Sequence, residues 1–456
     1  MLGLAALAGA GVAIVAFLPL GGEAPSAPSV PATPPTPPVP GAVTTGPFAL
    51  GINEAVSVPT RGGELQTMSL AEDLAADAAL ARDVGATLVR GHTGAFPRLS
   101  MSSLAERPDR LEGEGDLWVR TVQGAGLEAV LMVSPWPANR TANYTEHYVP
   151  SDMAAYEAYV RRVVERYDGD GVDDMPGLQS PVRYWEVDNE PDLKLNLPPK
   201  DPVREFTPGT FCLPEEYAQV LIASYRAIHA AYPDARVLGG GMNRPHAETG
   251  EAYLRDLFAI PGALDAIDIL SLHTYDTHAD GRRLASGIRA GRAAAPGKPI
   301  WVTETSVSLT QAPRDPVDTE VQGRMVAVLV GEAAVAGAER LFWHTLSDPP
   351  ESGIPGGPNR VGGSSTNSLF RMVVEGGPRE DKPAATVYRN LAAVLRAHDL
   401  AGAAADGQGA ARMKDGTVLV WEGSRPAPNG GQDLRTGAAI PPGGTANAPA
   451  VVWGAG

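Results

Sequence analysis

The sequence is poor in cysteine, in aromatic residues and in positive charge. Cys212 is the only cysteine, so no disulfide can form within the chain. No Cys-His cluster is present to predict a structural zinc site. Lys and Arg number 37 against 53 Asp and Glu, which gives a net charge of −16. Because phosphate binding needs a basic surface, we expect no nucleic-acid partner.

The beginning of the chain lacks charge altogether. Residues 2–20 are almost wholly apolar and nearly long enough to cross a bilayer. A signal peptide is the alternative, but the usual basic start and a clear cleavage site are missing. The Pro-rich tract at 21–45 cannot pack a core and predicts an extended linker. We therefore expect an exported protein, periplasmic or extracellular, that residues 1–20 direct to the membrane and tether there.

From residue 48 to about 400 the pattern alternates between predicted strands and helices. Eight strand–helix repeats can be counted, which predicts a (β/α)8 TIM barrel over residues 46–400. Beyond residue 400 the chain becomes rich in Gly, Ala and Pro, and one strand is predicted at 416–421. We expect residues 401–456 to form a small β appendage with a flexible tail.

Two predicted strands end in a glutamate. The fourth strand carries the sequence YWEVDNEP at 184–191, with Glu190 just before a proline that stops strand pairing. The seventh carries KPIWVTET at 298–305, with Glu304 near its end. Carboxylates at the carboxyl ends of barrel strands lie on the active face, and a pair of them suits cleavage of a glycosidic bond. A single glutamate in such a place would more simply cap a helix.

The two stretches together resemble the clan A retaining glycoside hydrolases, most closely family 39 and its bacterial relatives. The resemblance covers residues 46–400 and implies that Glu190 is the general acid/base and Glu304 the nucleophile. It implies that Asn189 binds the sugar 2-hydroxyl and that Arg90 and Tyr275 contact the nucleophile. It also implies an aromatic platform at the end of the eighth strand. Further candidates for lining the substrate site lie at predicted strand ends: His92, Trp136, His273, Trp343 and His344.

The reaction expected from this resemblance is hydrolysis of an oligo- or polysaccharide by a monomer that needs no cofactor and no metal. A membrane-anchored barrel that binds polysaccharide without cleaving it is the first alternative. A metal-dependent hydrolase using His92, His273, His278 and His344 is the second, but no His-x-His or His-Glu-x-x-His pair supports it.

One acidic stretch, residues 168–174, resembles a calcium loop only in part. An EF-hand loop needs an oxygen ligand at position five and a glutamate at position twelve, where this chain has Val172 and Gln179. We therefore favour a solvated acidic turn and leave calcium as the alternative.

Overall fold

The computed structural model describes residues 46–53, 67–91, 97–136, 148–192, 212–275, 280–307, 316–347, 367–372 and 379–454. The predicted membrane anchor at 1–20, the linker at 21–45, His92 and His278 lie outside these residues. Within them, every helix is too short or too polar to cross a membrane.

Eight parallel strands close into a barrel in chain order, which confirms the predicted (β/α)8 fold. They are β1 (Ala49–Asn53), β2 (Leu88–Arg90), β3 (Glu128–Val133), β4 (Tyr184–Val187), β5 (Arg236–Asn243), β6 (Ile269–His273), β7 (Ile300–Thr305) and β8 (Arg340–His344). Strand β8 pairs with β1, so that Asn53 lies opposite His344 where the barrel closes.

Helices cover the outside of the barrel. They are α1 (Thr67–Asp83), α2 (Met101–Glu106), α3 (Asp116–Gly124), α4 (Met153–Glu165), α5 (Pro214–Ala231), α6 (Glu248–Ala259), α7 (Arg282–Ala294), α8 (Pro316–Ala336) and α9 (Pro383–Leu395). A π-helical turn at Leu111–Gly115 leads into α3, and a hairpin of β9 (Phe370–Met372) and β10 (Arg379–Asp381) precedes α9. The sequence did not predict α2, the π-helical turn or the hairpin.

The barrel interior is built in layers of opposite polarity. The lower layer is apolar and consists of Leu88, Val130, Leu238, Ile269, Trp301 and Phe342. Side chains two residues further along a strand return to the same face. These positions carry the buried polar residues Arg90, Ser271, Thr303 and His344, besides Met132 and Gly240. On β4 the corresponding residue is the buried Glu186, two residues after the partly buried Tyr184. An apolar layer thus lies beneath a polar layer at the carboxyl ends of the strands.

The chain beyond the barrel is more regular than the sequence predicted. Instead of one strand and a flexible tail, eight short strands follow: β11 (Ala404–Ala405), β12 (Ala410–Arg412), β13 (Val418–Val420), β14 (Ser424–Ala427), β15 (Gly431–Asp433), β16 (Ala439–Ile440), β17 (Gly444–Asn447) and β18 (Ala450–Val452). Six form one sheet and two form another, and small buried residues such as Ala427, Ala446 and Val420 pack together. Alanine and glycine obscured the strands because they carry little strand propensity.

Candidate active site

Glu304 lies near the end of β7, and four side chains from other strands converge on its carboxylate. Asn53 donates from Nδ2 to Oε2 at 3.1 Å, and Arg90 donates from Nη1 to the same oxygen at 3.5 Å. The hydroxyl of Tyr275 donates to Oε1. His273 Nδ1 lies 3.5 Å from Oε2. The carboxylate is thus held on both oxygens by donors.

These donors decide the charge of Glu304. Burial alone would raise its pKa, but the charges of His273 and Arg90 and the Tyr275 hydroxyl together hold the pKa well below the usual range. Glu304 is therefore ionised at neutral pH, as a nucleophile must be.

Glu190 follows β4 at a turn in which the backbone takes the left-handed conformation, with φ 51°. Its Oε1 lies 3.0 Å from His273 Nδ1, and its side chain is 12% exposed. An oxygen of Glu190, an oxygen of Glu304 and a ring nitrogen of His273 all lie within 4.8 Å of one another. The two glutamates predicted from separate strands thus meet across one imidazole.

Arg90 is fully buried and connects both sides of the site. Besides Glu304, it donates to Glu186 from Nε, to Asn53 Oδ1 at 2.8 Å and to Asn189 Oδ1 at 2.7 Å. An arginine can only donate, so these contacts fix the oxygen ends of both amide side chains toward it. Asn53 Nδ2 must then face Glu304 and His344, whose Nδ1 lies 2.8 Å away. His344 Nδ1 consequently accepts this bond, which places the ring proton on Nε2.

Below the two carboxylates, hydroxyl groups link His273 to the buried Glu186. His273 Nε2 lies 3.1 Å from Thr303 Oγ1, and Thr303 and Ser271 donate to Glu186 Oε1 at 3.1 and 2.5 Å. Glu186 is fully buried, and Arg90, Thr303 and Ser271 donate to its carboxylate.

Two glycines of β5 make room for this arrangement. A Cβ built on Gly241 would overlap the imidazole of His273, and one on Gly240 would overlap the carbonyl oxygen of Val187. The strand pairing between β5 and β6 shifts between Gly239 and Met242. Because Gly241 has no side chain, His273 can lie between the two glutamates. Gly241 is therefore a residue of the site.

The predicted platform at Trp343 is wrong. Trp343 is fully buried on the outer face of β8, and its Nε1 donates to the Asn367 carbonyl at 2.8 Å. Strand alternation puts Phe342 and His344 inside the barrel and Trp343 among the helices. His344 instead reaches the site, with its ring edge-on to Tyr275 at 5.7 Å between centroids.

Trp136 lies just beyond β3 with part of its surface exposed, and its Nε1 donates to the Tyr148 carbonyl at 2.8 Å. Contact of Trp136 with a sugar stays a prediction. His92 lies outside the described residues, so its place in the site is also a prediction.

Two acidic side chains near Glu190 are buried as well. Burial raises the pKa of Asp188 to about 6, although Tyr148, Ser134 and the Asn189 amide donate to it. Burial also raises the pKa of Asp192 to about 8, against the effect of the Asn243 amide, which donates to Oδ1 at 2.7 Å.

Two groups of side chains among the described residues could hold a metal ion. One is the group of Glu190, His273 and Glu304 at the carboxyl ends of the strands. The other is Glu165, Asp168 and Asp170, at the end of α4. In the first group Arg90 also contacts Glu304, and a fixed positive charge there disfavours a cation.

Comparison with known proteins identifies the class. The sequence model of a family described as "Glycosyl hydrolase catalytic core" matches residues 184–352, which run from β4 past β8 and include both glutamates. Barrel, carboxylate pair and this match define a glycoside hydrolase, in agreement with the resemblance found in the sequence. Comparison with curated protein sequences finds no match.

Solved structures with the same barrel are similar at low sequence identity. A family 39 glycoside hydrolase from Bacteroides cellulosilyticus WH2 is 15% identical with a TM-score of 0.58, over 90% of this chain and 81% of that one. A monomeric beta-xylosidase from Caulobacter crescentus CB15 is 19% identical with a TM-score of 0.52, over 83% and 75%. A GH5_18 variant from Streptomyces cattleya, in complex with Manb1-4GlcNAc, is 17% identical with a TM-score of 0.54, over 76% and 80%. These similarities concern the fold.

Proposed function

We propose that this chain is a retaining O-glycoside hydrolase that acts on an oligo- or polysaccharide through a glycosyl-enzyme intermediate. Glu304 attacks the anomeric carbon while Glu190 protonates the departing oxygen. Water then attacks the intermediate, with Glu190 as the general base. The C–O bond to the leaving group is replaced first by a bond to Glu304 and then by a bond to water.

The closeness of the two carboxylates carries this proposal. Inverting enzymes separate their carboxyl groups by about 6.5–9.5 Å because a water must fit beneath the sugar, whereas retaining enzymes keep them about 5–5.5 Å apart. Oxygens of Glu190 and Glu304 lie within 4.8 Å of each other. Direct attack by Glu304 suits this gap better than attack by an interposed water.

The environments of the two glutamates support different roles. Glu304 is ionised and held on both oxygens, so its attack requires no proton removal. Glu190 shares a hydrogen bond with His273, whose pKa is raised because nearby Glu304 and Glu190 outweigh the effect of burial. His273 is therefore a proton source one hydrogen bond away from Glu190. Arg90 binds the side-chain oxygen of Asn189, so the side-chain nitrogen of Asn189 is the atom that can bind a sugar hydroxyl.

A non-catalytic polysaccharide-binding barrel explains these features less well. A binding surface has no need of a buried and a partly buried glutamate at one imidazole, and burying charge is costly. Among the aromatic residues predicted to stack on a sugar, Trp343 is enclosed in the protein.

We also propose that the enzyme is exported and remains tethered by residues 2–20, with the Pro-rich tract as a spacer. The charge-free apolar stretch supports this proposal. Fractionation of cells that express the full chain tests it: the protein should sediment with membranes and be released by detergent rather than by salt.

The catalytic proposal is tested with Glu190→Gln and Glu304→Gln, beside Glu251→Gln on the exposed face of α6 as the control. On aryl glycosides, Glu304→Gln should abolish turnover. Glu190→Gln should lose about 10²–10⁴-fold on a poor leaving group and much less on a good one, because only the poor one needs protonation. Early proton NMR spectra should show that the first hydrolysis product keeps the anomeric configuration of the substrate.

Full activity in either glutamine variant would reject the residue assignment. An inverted first product would reject the double displacement but leave a glycosidase. Binding of a polysaccharide by a wild-type enzyme that cleaves no glycoside in a broad screen would favour the binding alternative.

A further inference from the structure

An acidic loop, residues 168–174, follows α4 on the opposite side of the barrel from Glu190 and Glu304. Helices of this fold run antiparallel to the strands, so α4 ends near the beginning of β4 rather than at the active face. Carboxylate oxygens of Glu165, Asp168 and Asp170 lie within 4.8 Å of one another there. Like charges this close repel unless a cation lies between them.

Asp168 differs from the solvated residue that the sequence predicted. Only 4% of its surface is exposed. Its Oδ1 accepts the Asp170 amide at 3.3 Å, whereas its Oδ2 is buried and has no hydrogen-bond partner within the described part of the chain. A buried carboxylate oxygen without a donor is costly and is normally satisfied by a hydrogen bond or a metal ion.

Arg166, the arginine that adjoins Glu165 in the chain, binds other groups. Arg166 donates to both oxygens of Asp116, at 3.1 and 2.6 Å, and to the carbonyls of Asp173 and Asp174 at 3.2 Å. In the described ranges, no salt bridge involves any of the three converging carboxylates. The end of α4 adds the negative partial charge of its carbonyls. The three carboxylates and the carbonyls at the end of the helix therefore create a negative potential that favours binding of a cation.

Carboxylates of the loop also accept hydrogen bonds from its own backbone amides, which hold it in shape. Asp174 accepts the amides of Gly169 and Gly171 at 2.9 and 2.7 Å, and Asp170 Oδ1 accepts the Val172 amide at 2.8 Å. The three converging side chains therefore need little further ordering to bind an ion, which lowers the entropic cost of binding.

We propose that Glu165, Asp168 and Asp170 bind a calcium ion that fastens the end of α4 to the acidic loop. Two oxygens on one calcium ion can lie at most about 4.6–5.2 Å apart, because each Ca–O distance is about 2.3–2.6 Å. The three carboxylate oxygens, all within 4.8 Å of one another, are close enough to share one calcium ion. Magnesium usually keeps several waters and binds through only one or two carboxylates, so three converging carboxylates favour calcium. Water and loop carbonyls complete the coordination.

Thermal unfolding with and without calcium tests the site. Wild-type protein stripped with EDTA should gain about 3 °C in Tm when calcium reaches about 100 times its dissociation constant. Magnesium should give a much smaller shift. Asp168→Asn keeps the shape but removes the buried charge, so this variant should be at least as stable as the wild type in EDTA and should gain nothing from calcium.

Controls separate this site from other acidic groups. Asp234→Asn, an exposed change elsewhere, should keep the full calcium response. Glu304→Gln should also keep it, which excludes binding at the catalytic group. If Asp168→Asn fails to fold, Asp170→Asn at the exposed ligand supplies the test through a weaker response. Either of two results would overturn the proposal. The first is an unchanged wild-type Tm at 10 mM calcium, a concentration above about 10⁻³ M, the weak end for extracellular calcium sites. The second is an equal Tm shift in the wild type and both ligand variants.

Discussion

Replacing Gly241 by alanine should disable the site without touching a side chain that reacts. The new methyl group would overlap the His273 imidazole, which must leave its place between the two glutamates. The lost contact with Glu190 is a 3.0 Å hydrogen bond between ionisable groups, and such bonds contribute about 1.5–3 kcal/mol. If that bond acts in the transition state, kcat/KM falls roughly 10- to 150-fold.

The pH profile should change in a defined direction. His273 is one of the charges that lower the pKa of Glu304, so its displacement raises that pKa toward the ordinary value. Since Glu304 must be ionised to attack, the acidic limb of the kcat/KM profile moves to higher pH. Overpacking should also cost about 1–3 kcal/mol of unfolding free energy.

Gly239→Ala on the same strand is the matched control, because its added Cβ meets only a methyl group of Ile267, at 3.2 Å. It should stay close to wild type in activity. Gly241→Ala combined with His273→Ala should be no less active than His273→Ala alone, because the two changes act through one imidazole. A folded Gly241→Ala enzyme with wild-type kcat/KM and an unmoved acidic limb would refute the reasoning.

Two further predictions concern neighbouring groups. Tyr275→Phe removes the hydroxyl that donates to Glu304 Oε1, so kcat/KM should fall roughly 10- to 150-fold and its acidic limb should move to higher pH; an unchanged profile would contradict this. Burial raises the pKa of Asp192 to about 8, so folding takes up a proton. The free energy of unfolding of the wild type therefore falls as the pH rises from about 4 to 8, by at most about 1.4 kcal/mol per pH unit. Asp192→Asn keeps an oxygen for the Asn243 amide, and urea unfolding should show its stability advantage growing over that range; an equal slope in both proteins would reject the assignment.

The sequence predicted the barrel well because its signals are local and repeated. Each strand is short, at least one helix separates each strand from the next, and the two glutamates lie at the ends of strands whose order alone brings them to one face. Closure of the barrel then needs no long-range information beyond strand order.

What the sequence could not predict depends on register and on contacts across the barrel. Asn53 ends β1 as an isolated polar residue, and only its pairing opposite His344 brings it to Glu304. Trp343 and His344 are adjacent, so a phase error of one residue exchanges the buried ring for the one in the site. Gly241 gave no signal beyond a run of glycines, because its role is to leave space for a residue 32 positions away.

The C-terminal appendage packs directly against the helices of the barrel. The ring of Trp421, just after β13, lies where α8 has Gly331 and thus no side chain, and Leu419 and Val451 share the main hydrophobic core with the barrel helices. Cutting the chain near residue 400 would expose an apolar surface on the helices of the barrel. The two parts are therefore expected to melt together in one cooperative transition, and the C-terminal strands cannot be exchanged like a tethered module.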